Sequence, residues 1–152
     1  GVHMSPPANA TEEMRGIRYR LSNGNYVEKT MYFYVIALVN NEPRPAVITM
    51  RSSNLTPARE LNNMLKNLRM TDDKGTFQPA SFSAIFNLKT AEKSAGDKNW
   101  HVYKPTLTRM LDVTNADDAK MFEMGSEFQK KVSVGFAKPK YDKTEKAKEE
   151  II

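Results

Sequence analysis

At 152 residues with a net charge of +5, the chain is long enough for one domain with its own hydrophobic core and needs no disulfide or metal staple. It has no cysteine, which excludes disulfide frameworks, thiol nucleophiles and cysteine-type zinc sites and suits a reducing compartment. The longest apolar run, Met31–Val39, falls far short of the roughly 18 residues of a membrane span, and no charged-then-apolar leader opens the chain, so a soluble, cytoplasmic protein without membrane contact is expected.

Gly1–Met4 reads as a remnant of tag cleavage, which sets His3 aside. Ser5–Thr11 is small, polar and proline-bearing, so residues 1–14 are expected to be that remnant plus a disordered leader. Ile17, Tyr19 and Leu21 then alternate with Arg18 and Arg20, the period-two pattern of a half-buried strand, up to a turn at Ser22-Asn23-Gly24-Asn25. Tyr26–Val39 follows as the central strand, with Met31, Phe33, Val35, Ala37 and Val39 on one face and Thr30, Tyr32, Tyr34, Ile36 and Leu38 on the other. Asn40–Pro45 turns the chain into a third strand through Ala46, Ile48 and Met50.

Thr56-Pro57 is a helix start, with a hydroxyl at the N-cap and proline in the first turn, where its missing N–H costs nothing. Leu61, Met64, Leu65 and Leu68 at i, i+3, i+4 and i+7 give that helix a core-facing stripe. After Asp72–Gly75, a strand over Ser81–Thr90 and another over Trp100–Leu111 flank a polar, glycine-bearing hairpin loop, Ala91–Asn99. Pro105 is expected to interrupt or bulge the last strand, because proline cannot donate to a ladder. A second helix opens at Thr114 or Asn115, where Asp117 and Asp118 suit the positive end of its dipole. Its stripe of Met121, Met124, Gly125, Phe128 and Val132 should pack on the barrel or on a partner subunit, which leaves an oligomer open. From Ala137 the chain mixes Lys and Glu without apolar period.

Strand-strand-strand-helix-strand-strand is the order of the OB-fold, a small Greek-key barrel that holds oligonucleotides and oligosaccharides. The expected architecture is therefore mainly β: a five-stranded OB-fold barrel with a helix between strands 3 and 4 and an added C-terminal helix. The domain spans residues 15–135, and residues 136–152 form a solvated flexible tail.

For chemistry the chain offers little. His101 is the lone histidine left once His3 is set aside, and no G-x-S-x-G, Walker A, H-E-x-x-H or G-x-G-x-x-G pattern is present. Asp72-Asp73 falls in a turn and Asp117-Asp118 at a helix start, so structure accounts for both pairs. No catalytic residue, metal ligand or cofactor is assigned.

Charge and aromatic placement say more. From Arg15 to Asp112 fifteen Lys and Arg stand against eight Asp and Glu, whereas Val113–Ile152 carries eight of each; the basic excess lies on the expected barrel and would attract polyanions. Single-stranded nucleic acid is held by a cationic groove with aromatic rings for stacking. Candidates are Arg18, Arg20 and Arg51 opposite the apolar sets of their strands, with Tyr32 and Tyr34 on the outer face of the central strand. Lys89, Lys93, Lys98, Trp100, Tyr103 and Lys104 on and around the last hairpin complete the set. The bland alternative is that the aromatics are core and the lysines only solubilise a hairpin.

Met50–Asn62, with its serine pair ahead of Arg59-Glu60-Leu61-Asn62, then Pro79–Ser83, then Lys98-Asn99-Trp100 and its strand, resemble a group of bacteriophage single-stranded DNA-binding proteins of OB type. The resemblance covers about residues 16 to 135. It implies a replication or recombination accessory that coats single strands, and it supports Arg51, Arg59, Trp100 and the hairpin. It also implies recruitment of phage or host replication proteins through the C-terminal tail; such tails are often acidic, whereas Tyr141–Ile152 is mixed in charge. The expected function is non-catalytic, largely sequence-independent binding of single-stranded DNA, with RNA as a second ligand that no motif separates from it. The alternative is a phage structural or host-interaction protein that uses the barrel as a protein-binding surface.

Overall fold

The computed structural model describes residues 6–14 and 17–135, and both the tag-like start and the expected C-terminal tail lie outside the described residues. The chain is mainly β with two α-helices. Strands β1 (Ala10–Met14), β2 (Arg18–Leu21) and β3 (Tyr26–Glu28) form one antiparallel sheet, and β4 (Thr30–Val39) and β5 (Glu42–Arg51) form a long hairpin. Helix α1 (Leu55–Asn67) follows, then a small hairpin of β6 (Met70–Asp72) and β7 (Gly75–Phe77). A second long hairpin, β8 (Ala84–Ala95) and β9 (Lys98–Met110), leads to α2 (Ala116–Ser133).

Several expectations are corrected. The leader becomes a strand from Ala10, pairing with β2. The long central strand is two, because the chain changes partner at Lys29: Glu28 still pairs with Arg18, the Lys29 N–H donates to the Ile17 carbonyl at 2.7 Å, and Thr30 already pairs with Arg51. The turn after β4 shrinks to Asn40-Asn41, with φ of 53° and 63°. Two successive residues with positive φ are what a tight primed hairpin turn needs, and asparagine tolerates that region.

Pro43 and Pro45 therefore belong to β5, opposite Leu38 and Ile36. Neither can donate a hydrogen bond, so both occupy non-hydrogen-bonded pairs with their nitrogens on the outer edge. The Leu88–Pro105 pair likewise leaves the β8–β9 ladder unbroken, and the irregularity falls instead at Ile85/Phe86. The expected loop Ala91–Asn99 is mostly strand; the turn is Gly96-Asp97, with Gly96 at φ 58°.

The core forms where α1 meets the inner faces of both long hairpins. Met50, Ala58 and Leu61 are buried at its centre, packed by Met31, Phe33 and Ile48 of the first hairpin, Met64 and Leu65 of α1, and Phe86, Leu88 and Tyr103 of the second. Asn54, just ahead of α1, does not cap the helix with its side chain. Its Oδ1 accepts from the Tyr103 N–H at 2.7 Å and ties the helix start to β9.

Helix α2 starts at Asn115, whose side chain accepts from the N–H groups of Asp117 and Asp118, as Asn does at an N-cap. Asp118 is buried, and its carboxylate takes both guanidinium nitrogens of Arg109 at 2.5 and 2.8 Å and the Asp112 N–H at 2.8 Å. The Arg109 hydrogen bonds, and then the Asp112 N–H, hold the Asp118 carboxyl at about 2. Thr114 hydrogen bonds lower Asp112 as well. Further along, α2 packs on its own chain. Phe122 meets Phe82 edge to face at 4.9 Å and Phe128 meets Tyr34 at 6.4 Å. Gly125 lies so close to Phe82 that a Cβ there would sit 2.8 Å from the Phe82 Cβ.

Among the described residues the strands do not close into a barrel. A groove of about 850 Å³ separates the two long hairpins. It is lined by consecutive residues Tyr32–Leu38 of β4 and Ala84, Ile85, Phe86, Asn87 and Leu88 of β8. A strand face would contribute alternate residues, so each strand presents its unpaired edge. Met121, Phe128 and Val132 of α2 wall the groove.

Candidate nucleic-acid interface

The register of the β8–β9 hairpin sorts its side chains. Lys89 pairs with Lys104, Ala91 with Val102, Lys93 with Trp100 and Ala95 with Lys98. Residues directly opposite each other point to the same side of an antiparallel pair, and alternate pairs point to opposite sides. Lys89, Lys93, Lys98, Lys104 and Trp100 therefore share one face. Glu92, His101 and Tyr103 share the other, on which Tyr103 packs against the core, while the lysine face itself carries the buried Val102 at the Ala91 rung.

The hairpin thus carries four lysines on its outer face, and its one strand acid, Glu92, points the other way. All four lysines are exposed, and Trp100 is half-buried between them in the ladder. Six residues separate the Lys89–Lys104 rung from the Ala95–Lys98 rung, roughly 20 Å at strand rise. Lys89 and Lys104 face each other directly, an arrangement that is destabilising in isolation and that a bound anion relieves.

The other expected site residues are not gathered on this face. Tyr103 is half-buried and packs against the core on the opposite face from Trp100. Tyr32, Tyr34 and Arg51 share the outer face of the β4–β5 hairpin, since Thr30 pairs with Arg51 and Tyr32 with Thr49. Tyr34 turns its ring toward Phe128, and both tyrosines line the apolar groove at 39% and 37% exposure. Arg59 is exposed on α1.

Arg18 and Arg20 form a third place. Both lie on the face of β2 opposite the buried Tyr19, and Tyr26 of β3 pairs with Arg20. The Arg18 guanidinium carbon lies 4.8 Å from the centre of the Tyr26 ring, and that of Arg20 at 6.0 Å. Tyr26 escaped the sequence reading, although pairing the strands across Ser22–Asn25 brings it opposite Arg20.

Among the described residues no group of three or more His, Cys, Asp or Glu could hold a metal ion, and no helix is long and apolar enough to cross a membrane. No curated protein and no solved structure matches the chain. Residues 5–138 match the family described as Pam3 phage gp34-like protein. That match covers most of the chain, which therefore belongs to the Pam3 phage gp34-like protein family.

Proposed function

We propose that this chain is a non-catalytic single-stranded DNA-binding protein of phage origin, largely indifferent to sequence, that coats strands during DNA replication or recombination in the host cytoplasm. The observation that carries this reading is the outer face of the β8–β9 hairpin, where Lys89, Lys93, Lys98 and Lys104 surround Trp100 with no acid from either strand on the same side. Lysines supply phosphate contacts and a ring supplies a stack that every base can use, and this combination holds single strands without reading them. The three strand-like runs, helix and two strand-like runs of the sequence have the order of an OB-fold, in which the first and last hairpins flank the ligand; here these are the β2–β3 turn and the β8–β9 hairpin. The resemblance to phage single-stranded DNA-binding proteins points the same way. Replication partners would be recruited through residues 136–152.

A second reading, a phage structural or host-interaction protein, draws on the apolar groove and its two unpaired strand edges. Salt separates the two, because phosphate contacts release counterions and an apolar protein interface does not. The test is a titration of labelled oligo-dT, oligo-U and duplex DNA at two salt concentrations, with the emission of the single tryptophan followed alongside. Tight binding of oligo-dT over duplex, with steep loss at high salt and quenched emission, is expected. Salt-insensitive or absent binding would transfer the case to the second reading.

A further inference from the structure

We infer that Tyr26, with the guanidinium groups of Arg18 and Arg20 beside its ring, is a second stacking contact for single-stranded nucleic acid, separate from Trp100. This rests on the function proposed above and adds to it a contact on a different sheet. Three observations carry it. Tyr26 is 47% exposed, more than Tyr32 or Tyr34, and unlike Tyr34 it meets no other aromatic ring among the described residues.

The second observation is the arrangement of cations around the ring. Arg20 is directly across the ladder from Tyr26 and Arg18 diagonally across, yet Arg18 is the nearer, at 4.8 Å against 6.0 Å. The ring therefore leans along β2 and touches both cations. Third, among the described residues neither arginine is in an ion pair, although Glu12 lies opposite Arg20 and Glu28 opposite Arg18 in register.

A guanidinium that is planar and always charged can stack under a base and take a phosphate in two hydrogen bonds, which a lysine cannot. One tyrosine with two such groups makes a platform suited to a nucleotide with its phosphate. A simple solubilising patch would not need the arginines to be oriented by a ring. The short strand β3 and the Ser22–Asn25 turn project the platform on one side of a three-stranded sheet, whose other face holds the buried Tyr19.

The test uses the full chain and labelled oligo-dT, measured by anisotropy for the wild type and for Tyr26→Phe, Tyr26→Leu and Tyr26→Ala. Tyr26→Phe should bind as the wild type does, because the ring is kept. Tyr26→Leu and Tyr26→Ala should each lose about five- to a hundred-fold in affinity, the equivalent of one lost stack, with the slope of affinity against salt unchanged. Leucine retains apolar bulk, so equal losses in the Leu and Ala variants exclude mere packing. Wild-type affinity in Tyr26→Leu would overturn the inference and leave the lysine-face reading standing. Failure of the wild type to bind oligo-dT would overturn both and is recognised before any variant is made.

Discussion

Replacing Lys89, Lys93, Lys98 and Lys104 together by glutamine removes every lysine from the outer face of the second long hairpin while keeping side-chain length and strand register. If each lysine neutralises one phosphate of a single strand, each contributes about 0.7 to the slope of log affinity against log salt. The four together then account for about 2.8 of that slope, or roughly 600-fold in affinity at about 0.1 M salt. The assay is a salt series of oligo-dT titrations. Its control is a second quadruple variant, Lys66, Lys74, Lys120 and Lys130 to glutamine, which changes net charge equally from exposed positions on α1, the β6–β7 turn and α2. The control should shift the slope little, and both variants should melt near the wild-type temperature, because exposed charges add little to stability. Equal slopes in the two variants would refute the reasoning, since the effect would then belong to net charge and not to a face.

Trp100→Ala should cost about 1 to 3 kcal/mol of oligo-dT affinity and leave the far-ultraviolet circular dichroism unchanged; loss of the fold instead would assign Trp100 to packing. Gly125→Ala gains about 1 kcal/mol of helix propensity but drives a methyl against the Phe82 Cβ at 2.8 Å. Overpacking of that kind costs about 1 to 3 kcal/mol, so a lowered melting temperature is expected, and a raised one would show that α2 can move off Phe82. Because the Asp118 carboxyl is held at about 2, below its ordinary 3.8, its charged form contributes stability that is fully present above about pH 4 and is lost as pH falls toward 2. Melting curves across that window should show the decline, and Asp118→Asn should melt lower at neutral pH with a flatter acid response.

The elements with one buried face were legible in the sequence. The alternation of Met31 and Phe33 with Tyr32 and Tyr34, and the Leu61, Met64, Leu65 and Leu68 stripe of α1, all fall as the periods require, because burial selects apolar side chains at fixed spacing. Partner exchange at Lys29 left no local mark, since residues on both sides of it are equally extended. The tip of the β8–β9 hairpin was hidden because Glu92–Ala95 are exposed on both faces, so no hydrophobic alternation reveals a strand there. Its site was half legible for the same reason. The residue types were evident, but a nine-residue loop in place of the two-residue Gly96-Asp97 turn leaves Lys93 and Lys98 without a defined side, and a slip of one residue sends a side chain to the opposite face. Which face Tyr103 takes was likewise not legible, because a basic neighbour, Lys104, says nothing about which way the preceding ring points.

Pro43 and Pro45 blunt the turn end of the outer β5 edge. Their ring nitrogens leave that end without donors where another molecule's strand would seek them, so recruitment of strands there, the first step of edge-to-edge aggregation, is disfavoured. The opposite edge, along β4, keeps its donors and acceptors and opens on the apolar groove. A strand acquired along the turn half of the hairpin, whether β8 of its own chain drawn inward or a segment of a partner, therefore enters more readily from the groove side. Exchanging both prolines for valine would remove this polarity and should appear as concentration-dependent thioflavin-positive assembly in a protein that otherwise folds as before.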